Sequence, residues 1–237
     1  MRESKWPRWL GLKDIPGKST LHDWVQRFDL TFVRKVIRHT MKNRQPRVMA
    51  VDGTGVDSTH RSRHYEKRLE QTSGVNKTPT PYTKLDILID AEDKYVYDFV
   101  IRTQPRHDVV AAKDMFKRLK PQPEVILGDR GYDSEELHQI LELKQVEFHA
   151  PVRDFRVKKP RGKGRQKSLT KHEEAGKRSI VESVIRSLKS KLGSLTSKKH
   201  WMKKRELAWH ILTYNLEKQT RNIKQHLFQL LYRATKN

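Results

Sequence analysis

The chain's 237 residues suffice for one sizeable core or two small ones, and 51 Lys and Arg against 28 Asp and Glu leave a formal net charge of +23, the footprint of a polyanion partner, nucleic acid by default. Cysteine is absent, which excludes disulfides and thiolate zinc sites and permits a reducing compartment. No stretch approaches the ~20 apolar residues of a spanning helix and no signal-peptide core opens the chain, so a cytoplasmic protein is expected.

Residues 1–18 form an irregular leader with Trp6 and Trp9 as aromatic anchors. From the natural cap Ser19-Thr20, Leu21, Trp24, Val25 and Phe28 recur at helical spacing, and Phe32, Val33, Val36 and Ile37 repeat the pattern. Two short helices are predicted, with packing rather than a helix-turn-helix as their role. Val48-Met-Ala-Val51 then runs into Asp52-Gly-Thr-Gly55, a buried strand closed by an acid and a glycine turn. The next segment carries His60, Arg61, Arg63, His64, Lys67 and Arg68, a basic loop suited to phosphates. His60 and His64 have the spacing of two helical metal ligands but no third nearby, so a solvated loop is the preferred reading.

Leu85, Ile87 and Ile89 alternate with Asp86, Leu88 and Asp90, and Tyr95, Tyr97, Phe99 and Ile101 alternate after a short break, which predicts a hairpin. Asp108 is placed to cap a helix carrying Val109, Ala112, Phe116 and Leu119, ended by Pro121 and Pro123. Val125-Ile-Leu127 reads as a strand buried on both faces, followed by Gly128-Asp129 and a turn. Asp133 is placed to cap the following helix, with Glu136 three residues on and Leu137, Ile140 and Leu141 on one face. Val146-Glu-Phe-His-Ala150 is the last strand. A right-handed crossover after the third strand returns the fourth beside the first. Asp52 and Asp129 then stand side by side at the carboxyl ends of parallel strands, where ligands gather and paired carboxylates invite a divalent metal. The plainer alternative is a pair of turn aspartates.

Residues 153–178 hold eleven Lys or Arg against three acids and read as a mobile basic loop. Ile180, Val181, Val184, Ile185, Leu188, Leu192 and Leu195 then trace a helical stripe, with Arg178, Glu182, Arg186 and Lys189 on an adjoining face. Glu182 is either an ordinary i,i+4 partner of those arginines or a metal ligand. It is the last carboxylate before Ser183–Arg205, which has eight Lys or Arg and no acid; Lys198, Lys199, Lys203 and Lys204 lie in that run. Residues Arg205 to Lys236 predict two further helices.

Taken together these residues resemble the DDE transposases of prokaryotic insertion sequences. Asp52 stands in Val-Asp-Gly-Thr-Gly, Asp129 in Gly-Asp-Arg-Gly-Tyr-Asp-Ser, and Glu182 in Arg178-x3-Glu182-x6-Lys189. The likeness extends through Lys18-Ser-Thr-Leu21, His107-Asp108 and Thr213-Tyr-Asn-Leu216. Ala175 departs from the tyrosine that the family's signature carries three positions before its arginine. The resemblance implies an α/β, ribonuclease H-like mixed sheet of strand order 3-2-1-4-5, with small helical extensions at both ends. The expected division is a helical segment over 1–46, a catalytic domain over 47–218 with its basic loop at 153–175, and a helical tail over 219–237.

It further implies catalytic and metal-binding roles for Asp52, Asp129 and Glu182 with two Mg2+ or Mn2+ ions, and DNA cleavage followed by strand transfer. Arg178, Arg186, Lys189, Lys198, Lys199, Lys203, Lys204, Arg61 and Arg63 are the expected DNA contacts. The expected partners are double-stranded DNA, as element terminal repeats and target, and a second copy in the DNA complex, with a nucleoid-associated location in the cytoplasm. Two rivals stand beside this reading: a metal-dependent nuclease on the same fold that cuts without joining, and a non-catalytic DNA-binding relic.

Overall fold

The computed structural model describes residues 14, 16–59, 83–103, 106–153 and 160–234, the last ten of these as backbone alone. Its strands are β1 (Val48–Val56), β2 (Thr83–Asp90), β3 (Val96–Arg102), β4 (Val125–Leu127) and β5 (Glu147–His149). They form one five-stranded sheet in the order β3-β2-β1-β4-β5. β1, β2 and β3 are antiparallel neighbours, whereas β4 and β5 join the other side of β1 in parallel. Helices α3 (Asp108–Lys117) and α4 (Glu135–Glu142) make the two crossovers, as parallel pairing requires. This is the mixed sheet, in the strand order 3-2-1-4-5, that the resemblance implies. Val48 through Val51 and Val125 through Leu127 are buried throughout, because helices cover both faces.

Around the sheet lie α1 (Lys18–Arg27), α2 (Leu30–Thr40), α5 (Lys163–Lys167), α6 (Ser179–Leu192) and α7 (His200–Ala234). The two predicted N-terminal helices are present. Asp29 caps α2 through the Phe32 amide at 2.8 Å, and α2 buries Val33 and Ile37 against β3 and α7. Helix α1 begins after Gly17 with no side-chain cap and buries none of its residues. No helix among the described residues is long and apolar enough to cross a membrane.

Four local expectations are corrected. Asp133 does not cap α4; Ser134 takes the cap position, and the Asp133 carboxylate receives Arg165 at 2.6 and 2.7 Å instead. Asp108 is the first residue of α3 rather than its cap, and its carboxylate takes Lys84 and Arg102. The basic loop is partly built: Glu135 accepts the amides of Gly164 and Arg165 at 3.1 and 3.0 Å, which clamps α5 onto α4. Finally, the two helices expected over Arg205 to Lys236 are one, α7.

Candidate active site

Asp52 lies in the middle of β1, not at its end. It is β4 that ends early, since its pairing with β1 stops at Ala50 opposite Leu127. That register, continued by two residues, sets Asp52 level with Asp129. The first acid is thus presented where β1 has lost one neighbour, which is the crevice that a short parallel strand opens. The Asp52 Oδ1 accepts the Gly53 amide at 2.7 Å. Asp129 opens the 3-10 turn Arg130–Tyr132 and accepts the Gly131 amide at 2.7 Å. Glu182 stands exposed in the first turn of α6 and accepts Arg178 Nη2 at 3.1 Å.

Helix α6 brings Glu182 to this place by burying Val181, Val184 and Leu188 alongside β1. Burial raises the Asp52 pKa most; the charges of Asp129 and Glu182 raise it further, against the Gly53 amide and Arg178. The three acids therefore share one electrostatic neighbourhood, although 77 and 53 residues separate them in sequence. Asp52 and Glu182 line one open cleft of about 670 Å3, with Gly53, Thr54, Ile185, Arg186, Lys189 and Ser190. As placed, each carboxylate is turned to its local donor, and no three Asp, Glu, His or Cys among the described residues are gathered tightly enough to hold a metal ion.

The expected DNA contacts fall into separate groups. Arg178 pairs with Glu182 at the mouth of the site. Arg186 and Lys189 line the acid cleft itself. Lys198 and Lys199 are exposed at a second groove between α1 and the start of α7, beside Trp201, whose ring lies 5.9 Å from the Lys199 ammonium and 4.8 Å from the Arg205 guanidinium. Lys204 is half-buried. Lys203 is a correction: only 4% of it is exposed, because it occupies the inward stripe of α7 with Leu207 and Ile211. Arg61 and Arg63, with His60 and His64, lie outside the described residues.

Sequence reasoning passed over the groups that brace the site. Gly53 faces Asp86 across the β1–β2 register. Asp86 is fully buried and takes Arg102 at 2.9 and 2.8 Å. Tyr132 is wholly buried behind the acids, and burial pushes its hydroxyl pKa up, aided by the charges of Asp86, Asp108, Asp52 and Asp129. Thr54 shares the cleft with Asp52. The signal for Thr54 was available, since alternate residues of a strand face the same way, but nothing local marked its partner Lys189.

A family model described as Transposase DDE domain matches residues 43–216. Among curated proteins, none matches the sequence. Among solved structures, the catalytic core domain of BIV integrase is similar at 10% identity and a TM-score of 0.37, over 69% of this chain and 82% of that one. The piggyBac transposase in a synaptic complex with hairpin DNA is similar at 13% identity and a TM-score of 0.40, over 86% of this chain; this chain spans 56% of that protein. The family match covers most of the chain and takes in Asp52, Asp129 and Glu182, and by it this chain belongs to the transposase DDE domain family.

Proposed function

We propose that this protein is an insertion-sequence transposase that cuts double-stranded DNA at element ends and joins the freed 3′ hydroxyl to target DNA. The observation that carries this reading is that Asp52 and Glu182 line one cleft while the β1–β4 register, continued by two residues, sets Asp129 level with Asp52, so that β1, the turn after β4 and α6 bring the three acids to one region. Three carboxylates are a hard-oxygen donor set that suits Mg2+ or Mn2+, and a cation held among them would offset their mutual repulsion. Asp52, Asp129 and Glu182 would together hold the ions. A bound pair of divalent ions supplies stabilisation of the attacking and leaving oxygens in both in-line phosphoryl transfers.

The remaining roles belong to the protein's cations. Arg178 orients the Glu182 carboxylate through its 3.1 Å bond. Arg186 and Lys189 hold the strand in the cleft, while Lys198, Lys199 and Lys204 take phosphates of the flanking duplex. The protein works as a homodimer on DNA, in the cytoplasm at the nucleoid, where its substrate is.

The test uses a supercoiled plasmid carrying the DNA that flanks the gene, incubated with the protein and Mg2+ or Mn2+. Nicking at defined ends is expected, with Asp52→Asn, Asp129→Asn and Glu182→Gln abolishing it. DNA binding should persist or strengthen in those variants, because each amide also removes a charge that repels phosphate. Joined strands among the products distinguish a transposase from a nuclease that only cuts. Wild-type cleavage by Asp52→Asn would sink the mechanism.

A further inference from the structure

Arg47 is the residue before β1, and its guanidinium reaches carboxylates on three different segments. It donates to Glu174 at 2.6 Å, to Glu92 at 3.0 Å and to Glu124 at 3.3 Å. Glu124 immediately precedes β4, Glu92 lies in the turn between β2 and β3, and Glu174 belongs to the 3-10 turn Glu173–Arg178 that leads straight into α6. Lys177 closes a ring, its ammonium lying 3.0 Å from Glu92 and 2.9 Å from Glu174.

Three of these attachment points stand upstream of the three acids. Asp52 follows Arg47 by five residues, Asp129 follows Glu124 by five, and Glu182 follows Glu174 by eight. Five extended residues cover roughly 17 Å, and four residues of 3-10 turn followed by four of α-helix cover roughly 14 Å. Helix α6 runs along β1 in the same sense, since Glu174 meets Arg47 at one end and Lys189 donates to Thr54 at 3.5 Å further on. The ring and the acids therefore occupy opposite ends of the same elements.

Other contacts leave the spacing along these elements loosely set. Apolar burial is non-directional, so Val181, Val184 and Leu188 hold α6 against the sheet without fixing where along β1 it comes to rest. The β1–β4 ladder is three residue pairs long, and it is extended by the Glu124 amide, which donates to the Arg47 carbonyl at 2.9 Å. A planar guanidinium with several donors in fixed geometry sets distances between its partners that an apolar seam leaves free. Half-exposed ion pairs add little to stability, whereas a misplacement of about 1 Å at reacting groups can cost about a hundredfold in rate.

We propose that Arg47 is a positioning residue for cutting: by tying Glu124 and Glu174 to the start of β1, it sets how far along that strand Asp129 and Glu182 stand relative to Asp52. The inference rests on the DNA-cutting reading for its reaction. Arg47 acts only through the three elements that it fastens, from the end of the sheet remote from the acids.

The test compares full-length Arg47→Met, Arg47→Lys and Glu174→Gln with wild type, by nicking across a Mg2+ series and by calorimetric titration of Mn2+ without DNA. Arg47→Lys keeps the charge but lacks the fork that reaches three carboxylates. Both Arg47 variants should need about tenfold more Mg2+ for half-maximal nicking, an effect of displaced ligands, with melting temperatures close to wild type. The Mn2+ binding that Asp52→Asn removes should weaken in Arg47→Met by a similar factor. Glu174→Gln should lose nearly as much, and the double variant with Arg47→Met no more than Arg47→Met alone, because the two act through one contact. Arg44→Met breaks a comparable exposed pair, with Asp93 at 2.8 Å, and should nick as wild type does.

Unchanged metal dependence of Arg47→Met in both assays, or an equal loss in Arg44→Met, would overturn the positioning role. A wild type that binds Mn2+ through Asp52 but never nicks defeats the transposase reading alone, since the calorimetric ratio still decides for or against Arg47. A wild type without that Mn2+ binding overturns both.

Discussion

Gly53 illustrates how a motif residue earns its place by what it lacks. A Cβ there would lie 2.6 Å from Asp86 Oδ1 and 2.9 Å from Lys84 Cε, and Asp86 cannot yield, because Arg102 holds both its oxygens. Gly53→Ala should therefore cost about 1–3 kcal/mol as an overpacked site and push the Asp52 backbone out of register, lowering cleavage more than stability; melting and nicking rates together check this. Asp86 itself is braced by a buried pair whose partners pull in different directions. Burial first, against the charge of Arg102, pushes the Asp86 carboxyl up to about 6. At Arg102 burial works downward, but hydrogen bonds to Asp108 and Asp86 outweigh it and raise its pKa. We hold to a charged pair at neutral pH, since two-point bonding of 2.8 and 2.9 Å favours it. The sign follows: the folded state keeps the Asp86 proton more tightly than the unfolded chain, so its contribution is full below the ordinary value of 3.8 and is lost as pH rises through about 6. The stability difference between wild type and Asp86→Asn should drift across that window and level off above it. Asp86→Ala, which strands Arg102, should cost about 3 kcal/mol in denaturant unfolding.

At the scale of elements, the basic segment after β5 changes character most. Composition suggested a mobile loop, yet Pro160 is buried and α5 is held to α4 by Glu135 and by the Arg165–Asp133 pair. Gly162, at φ 103°, and Gly164 pass so close over Glu135 and His138 that neither site has room for a Cβ. The glycines that look like markers of flexibility are the places where the strap touches the helix. Arg153 adds a second tie, donating to the Arg130 and Gly131 carbonyls at 2.7 and 2.8 Å, next to Asp129. Arg165→Ala removes a two-point bond to a carboxylate that is almost fully buried, and should release α5 while leaving the sheet intact. Limited trypsin digestion should then cut within 161–171 several times faster than in wild type, with far-ultraviolet circular dichroism little changed. Equal protection of the two proteins would mean that Glu135 alone holds the strap.

For the whole molecule, a net charge of +23 promises tight and salt-sensitive binding to DNA, but the fold decides which charges count. Lys198 and Lys199 are exposed, whereas Lys203, five residues from Lys198, is buried. Replacing Lys198 and Lys199 together by Gln should reduce the slope of log affinity against log salt by about 1.8, two phosphates' worth, with the melting temperature nearly unchanged. Lys203→Gln should show the reverse pattern, a lower melting temperature and an unaltered salt slope. A slope that falls in Lys203→Gln would place that residue at the DNA after all.

Short-range periodicity was enough to mark five strands, two crossovers, and acids at the turn after Leu127 and beside Val51. The adjacency of β1 and β4 was also legible, because right-handed crossovers leave few alternatives. The remaining features come from the docking of distant segments. That Asp52 sits mid-strand depends on where β4 stops pairing, which no local pattern records. That Thr54 meets Lys189 depends on α6 lying along β1, a contact between residues 135 apart. That Asp133 serves Arg165 rather than a helix end, that Gly53 makes room for Asp86, and that Lys203 turns inward are outcomes of close packing between distant segments. Periodicity tells which way a side chain faces within its own element, whereas its partner is set by how the elements dock.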